Sequence, residues 1–331
     1  MTGKTKGYGE YLALLLVWAG LLLLFGVLAE NFLSARTLGA LANRIPSLTV
    51  VAVGMTFVLI VGGIDLSVGS VLGLAGAVLG VALVGWHWPL WCAATLALGT
   101  GLIAGLLTGA VSVRLGVPSF IVSLGMLEIA RGGAFLVTDS QTKYLGAPVE
   151  SLARPVAGLA VSPAFLLALG LVVVGQLALT RTVFGRYVIA IGTNEAAARL
   201  AGLATRGPRI AVFALAGALA ALGGVLHTSR LGSSDPNAGV GLELSAIAAV
   251  VIGGTSLMGG RGSVVNTFFG VLIIATLESG LAQIGASEPV KRVVTGLVIV
   301  VAVAFDAWRS RLRGGPLAVM RRLFARPAVS P

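Results

Sequence analysis

Apolar, charge-free runs long enough to cross a bilayer recur along the whole chain. The first extends from Tyr11 to Ala29, and others cover 45–64, 155–180, 210–229 and 262–277. Residues 66–113 contain no Asp, Glu, Lys or Arg. This run divides into two spans at Trp86-His87-Trp88-Pro89, where proline breaks a helix and the tryptophans suit a headgroup belt. A hydrocarbon core needs roughly 20 helical residues per crossing. The pattern therefore predicts an all-α membrane protein with ten spans: 11–29, 47–62, 67–84, 90–112, 118–138, 163–180, 209–228, 244–257, 264–284 and 290–307.

Composition strengthens this reading. Of 331 residues, 57% are hydrophobic and 11% charged, and mean hydropathy is +1.00. Soluble domains carry about 25% charged residues, so no water-facing surface can be built and the solvent is lipid. The 47 glycines follow no collagen-like period and suit close helix packing. No segment is polar enough for a soluble domain, so 1–331 reads as one transmembrane domain. The basic head (Lys4, Lys6) precedes an apolar run too long for a signal-peptide core, with no cleavage site after it, and reads as an uncleaved first span. Cys92 is the only cysteine, which excludes an intramolecular disulfide and a cysteine metal cluster.

The net charge of +11 forms no nucleic-acid patch; it is an orientation signal. With a cytoplasmic N-terminus, 15 Lys and Arg residues fall inside: Lys4 and Lys6, Arg114, five in 181–209, Arg261 and six in the tail. Seven fall outside (Arg36, Arg44, Lys143, Arg154, Arg230, Lys291, Arg292), and Arg131 lies within a span. Both termini are thus expected in the cytoplasm, with an N-tail 1–10, a loop 181–209 and a basic tail 309–331.

A charge at mid-membrane costs about 3 kcal/mol by insertion scales and needs a partner or a water-filled cavity. Asp65 lies in Gly62-Gly63-Ile64-Asp65-Leu66-Ser67-Val68-Gly69-Ser70, between two apolar runs. Asp65 or Ser67 can satisfy the amides opening the next helix, which makes a cap for a re-entrant hairpin; a gate or proton carrier is the other reading. Glu128 and Arg131 share a helix face and are expected to pair as a structural couple. Glu278 and Asp306 lie near span ends, where an interfacial or bundle-facing place is expected. The stretch Ile252-Gly253-Gly254 through Leu257 to Gly260 echoes Val61-Gly62-Gly63 through Leu66 to Gly69, which hints at an internal duplication.

In the loop 181–209, Thr193 or Asn194 can cap a short helix over Glu195, Ala196, Ala197, Ala198, Arg199 and Leu200, with Gly202 ending it. Its alanines permit close approach, and Leu200 and Leu203 offer apolar surface to a docking partner. His87 and His227 lie near outer span ends, and a metal pair between them is not favoured. The phosphate loop GxxxxGK[ST] is absent, so ATP-driven transport would need a separate ATPase.

Five blocks, GGIDLSVGS (62–70), GVPSFIVSLGMLEIARGG (116–133), FGRYVIAIGTNEAAARLAGL (184–203), 228–264 and FDAWRSR (305–311), resemble the permease subunits of ribose-, xylose-, arabinose- and galactose-type bacterial ABC sugar importers. The resemblance covers nearly the whole chain. It implies a type II-like importer permease in the bacterial inner membrane, paired with a second permease subunit, a homodimer or occasionally a heterodimer. It also implies a cytoplasmic ABC ATPase, which would bind the ATP and magnesium, and a periplasmic or lipid-anchored sugar-binding protein. Residues 195–202 resemble the coupling helix, which assigns ATPase coupling to Asn194, Glu195, Ala196, Ala197, Arg199, Leu200 and Gly202. Residues 62–70 and 253–262 resemble the family's breaks in the helical core. Relatives typically carry an acidic residue where Ser245 stands; Glu243 is the nearby substitute.

The expected activity is alternating access for a pentose or hexose, with a binding protein docking on outer loops near 31–46, 139–162 and 230–243. An uncharged sugar calls for hydroxyl and amide partners, so Asn43, Thr56, Ser119, Ser123, Thr228 and Asn237 join Asp65 and Ser67 as candidates for the path or gate. A related permease for branched-chain amino acids or nucleosides is one rival. The other is a self-sufficient proton- or sodium-coupled transporter using Asp65 and Glu128, in which the docking helix would have no purpose.

Overall fold

The computed structural model describes residues 4–156 and 161–313. Residues 1–3 of the N-tail, part of the 139–162 loop, the tail from 314 with Arg321, Arg322 and Arg326, and the side chain of Asp306 lie outside the described residues. Helices come in the order α1 (Lys4–Leu28), α2 (Ala35–Arg44), α3 (Pro46–Ile60), α4 (Val68–Val84), α5 (Leu90–Leu115) and α6 (Ser119–Thr138). After β1 (Lys143–Tyr144) follow α7 (Ala147–Glu150), α8 (Pro163–Arg181), α9 (Val183–Thr193), α10 (Glu195–Leu200) and α11 (Arg206–Leu231). Then come β2 (Ser233–Ser234), α12 (Leu242–Ile252), α13 (Val264–Gln283) and α14 (Glu288–Arg313).

A helix occupies each of the ten predicted segments, but they are not equal. Among the described residues, α1, α5, α6, α8, α11 and α13 are long and apolar enough to cross a membrane. A seventh candidate arises if α2 and α3, which meet at a 44° bend, act together. Pro46 at the first position of α3 explains the bend, since it fits a helix start and cannot continue α2. Helices α4 and α12 are shorter, 17 and 11 residues, because the glycine-rich breaks interrupt them. Helix α2 was not foreseen; Ser34 caps it by accepting from the Thr37 amide.

The core centres on α11, which packs against α3, α4 and α5. On α5, Gly101, Gly105 and Gly109 form a four-residue repeat facing α11. A Cβ at Gly101 would lie 2.3 Å from the Gly217 carbonyl oxygen, and one at Gly105 2.2 Å from that of Phe213. Such backbone approach replaces the hydrophobic drive that lipid cannot supply between helices. Strands β1 and β2 pair antiparallel, Lys143 opposite Ser234 and Tyr144 opposite Ser233, tying the 139–162 and 230–243 connections together.

Candidate functional site

The two glycine-rich breaks meet in space. The Gly260 amide donates to the Ile60 carbonyl at 2.8 Å, and a Cβ at Gly259 would lie 3.2 Å from Gly62 Cα. A third segment closes the junction: a Cβ at Gly192 would sit 1.7 Å from the Ile60 oxygen and 2.7 Å from the Gly260 nitrogen. Gly192 is the penultimate residue of α9, so the ends of α3, of α9 and of the second break touch where only glycine fits.

Helix α10 stands directly on this junction. Asn194 is its cap, its Oδ1 accepting from the Ala197 amide at 3.0 Å, while Thr193 ends α9 with its hydroxyl on the Ile189 carbonyl. Gly202 follows with a φ of +82°, the left-handed turn that ends the helix. Glu195 does not face outward. It accepts from Arg199 Nη2 at 2.5 Å, from Thr205 Oγ1 at 3.1 Å and from Arg209 Nη1 at 2.8 Å, clamping α10 to the start of α11. Burial pushes its carboxyl up, but the Arg199 hydrogen bond, the Arg209 charge and the Thr205 hydroxyl outweigh this and hold it below the usual glutamate value. Ala196, Ala197 and Arg199 are exposed, and Leu200 is 92% exposed.

The first break, 61–67, is held from two sides. Asp65 is buried and accepts from the Ser67 amide at 2.9 Å and the Ser67 hydroxyl at 2.6 Å, a turn that opens α4. The hydroxyls of Ser119 and Ser123, on the first turns of α6, accept from the Ile64 and Leu66 amides, both at 3.0 Å. Within the second break, Thr255 Oγ1 is buried without a hydrogen-bond partner among the described residues, as is Asn266 Oδ1 just beyond it.

The expected Glu128–Arg131 pair does not form. Arg131 Nη1 donates instead to the Pro236 and Ala238 carbonyls, both at 2.8 Å. Loop carbonyls aimed at the guanidinium won over a neighbour on the same helix, which sequence spacing could not reveal.

The remaining path candidates are scattered. Asn43 Oδ1 accepts from the Ser162 amide, Thr56 donates to the Ala52 carbonyl and lies 2.9 Å from the Thr267 hydroxyl, and Thr228 is buried beside Gly76. The Asn237 amide donates to Asp235 in an exposed turn. None of these, nor Asp65, Ser67, Ser119 or Ser123, lines a cavity of about 430 Å³ between the α2–α3 bend, α12 and α14. That cavity is bounded instead by Arg44, His227, Arg230, Ser245, Glu278 and the start of α14, residues that sequence reading treated singly. Arg44 pairs with Glu278 at 3.0 Å across its wall. Among the described residues no cluster of three or more side chains suits a metal.

The model of one protein family, described as the permease component of the branched-chain amino acid transport system, matches residues 37–303. The chain belongs to this permease family. It is similar to the ribose import permease protein RbsC of Escherichia coli K12, 36% identical over 86% of this chain and 90% of that one. The Bacillus subtilis RbsC is 37% identical over 93% and 95%. The fructose import permease protein FrcC of Rhizobium meliloti is 34% identical over 87% and 82%. The autoinducer 2 import system permease protein LsrC of Enterobacter sp. strain 638 is 36% identical over 86% and 84%. No solved structure matches the chain. The permease is accordingly a transport component rather than an enzyme, and a multi-pass protein of the bacterial inner membrane. Its family match takes in both breaks, α10 and the cavity wall up to α14.

Proposed function

We propose that this permease is the membrane subunit of an ATP-driven importer that carries a monosaccharide, a pentose or hexose, delivered by an extracytoplasmic binding protein. Two copies would form the working unit, and the ATP and magnesium belong to a partner ATPase. The names of the relatives, import permeases for ribose and fructose, support the cargo class. The observation that carries the reading is α10 itself: a capped, clamped helix with Leu200 presented to solvent, standing on the junction of both helix breaks. A single lipid-embedded chain has no use for such a knob, whereas a cytoplasmic partner with a complementary groove does.

Mechanically, a push on α10 cannot be absorbed locally. Glu195 ties it to α11, and Gly192 leaves no free space against Ile60 and Gly260. Displacement therefore passes to both breaks, and through Ser119 and Ser123 to α6. Ten crossings with both termini in the cytoplasm complete the reading. Helices α3, α4, α12 and α14 would supply the crossings beyond the six long apolar helices, the short ones crossing together with their breaks.

Co-purification tests this. Leu200→Glu changes only the exposed knob, so the permease should still fold and reach the membrane while recovery of an ATPase chain falls at least ten-fold. A Leu200→Glu permease that retains the ATPase at wild-type yield, or a wild type that recovers none, would overturn the coupling role.

A further inference from the structure

Glu128 stands near the midpoint of α6, about 14 Å along the axis from either end at the helical rise per residue. Its side chain is exposed, and it makes no hydrogen bond or ion pair among the described residues, since Arg131 is directed to the Pro236 and Ala238 carbonyls. A carboxylate at that depth is ill-suited to lipid, and such groups face a bundle interior or a water-filled cavity. Its neighbours on the helix are mixed: the apolar side chains of Leu124 and Ile129 are exposed beside it, and two glycines leave it room. Ile121, Gly125 and Gly132 fall on the same line as Glu128 at helical spacing, and nothing lies within 4 Å of where a Cβ would stand on either glycine. The face is therefore recessed on both sides of the carboxylate. The foot of the same helix holds the first break through Ser119 and Ser123, so α6 is mechanically continuous with the segment that α10 adjoins.

We propose that Glu128 lines the aqueous path of the cargo at mid-membrane, where its carboxylate accepts hydrogen bonds from solute hydroxyls. Gly125 and Gly132 leave room for a polyhydroxylated molecule beside it, and a second copy of the chain closes the far side. A carboxylate accepts two such hydrogen bonds at once, and charge-assisted bonds of this kind are roughly twice as strong as neutral ones. The inference rests on the transport reading above but not on the ATPase.

Thiol labelling tests it. In a Cys92→Ser background, single cysteines at Gly125, Glu128 and Gly132 are compared with Val174→Cys on α8 and Leu16→Cys on α1, both exposed apolar positions. A charged, water-soluble methanethiosulfonate reacts with thiolate, which forms only where water reaches. The three α6 positions should label at least ten-fold faster than the two references in native membranes. Labelling as slow as the references would show a dry face and overturn the inference. So would oxidative cross-linking of Gly132→Cys between copies without labelling, which marks a closed helix–helix contact. If Glu128→Cys fails to accumulate, Gly125→Cys and Gly132→Cys decide with the carboxylate intact. A wild-type permease that recovers no ATPase would sink the coupling role while leaving this labelling pattern unchanged, so the two failures are distinguishable.

Discussion

Glu195 ties the 181–209 loop together, because one carboxylate receives Arg199, Thr205 and Arg209. Its folded pKa lies below the ordinary 4.5. A depressed carboxyl contributes stability that is fully present above the unfolded value and is lost as pH falls through the folded one. The clamp should therefore be indifferent to pH between 7 and 5.5 and loosen only below about 4.5, the ordinary glutamate range. A spin label at Ala201→Cys, in a Cys92→Ser background, reads this directly. The expected spectrum is immobilised at pH 7 and 5.5 and grows mobile only as pH falls well below the ordinary glutamate range, while Glu195→Gln is mobile throughout. An immobilised label in Glu195→Gln at pH 7 would mean that the loop is ordered without the carboxylate's charge. Arg199 is the more exposed of the two cations, so solvent screens its pairing more than that of Arg209.

At the scale of elements, the decisive contact is the meeting of α3, α9 and the second break. Adding a methyl group at Gly192 puts a carbon 1.7 Å from the Ile60 oxygen, a backbone atom that cannot rotate away. Overpacking costs typically about 1–3 kcal/mol, and in a chain of this size that lowers Tm by several degrees. Gly192→Ala should therefore melt earlier in detergent and lose ATPase-driven uptake, whereas Gly207→Ala, with nothing within 4 Å, should match the wild type. Equal melting of both variants would show that the junction yields easily and transmits nothing. The sequence announced both breaks, because glycine pairs interrupt apolar runs, and it announced α10, because an Asn cap, three alanines and a Gly stop define a short helix. Nothing local announced that the breaks touch each other or that Gly192 lies between them. That contact joins segments about 70 and 130 residues apart, and glycine carries no side chain whose chemistry signals a neighbour. The same blindness produced the wrong partner for Arg131: helical spacing offers Glu128, while the Pro236 and Ala238 carbonyls arrive from a loop more than 100 residues away.

For the whole molecule, the outer sheet constrains the orientation. Because β1 pairs with β2, Tyr144 and Ser233 lie on one side of the membrane. The chain between them must then cross an even number of times, and α8 and α11 are its two membrane-length helices. That leaves α9 and α10 on the opposite side from the sheet. The excess of Lys and Arg in 181–209 would make that opposite side the cytoplasmic one under the proposed reading, since positive loops are retained there. The same parity runs outward: Gln283 near the end of α13 donates to the Glu30 carbonyl just after α1, so both helices end on one face. Arg44 of α2 reaches Glu278 near that end of α13, placing the α2–α3 bend there too. Single cysteines resolve the arrangement in intact cells stripped of their outer barrier. Tyr144→Cys, 81% exposed, should react with a membrane-impermeant maleimide from outside, and Leu200→Cys only after the inner membrane is opened. Reaction of both from the same side would break the parity, and with it the assignment of α10 to the compartment where an ATPase could reach it. Reaction of Leu200→Cys alone from outside would invert the molecule and leave the positive loops on the wrong face of an energised membrane.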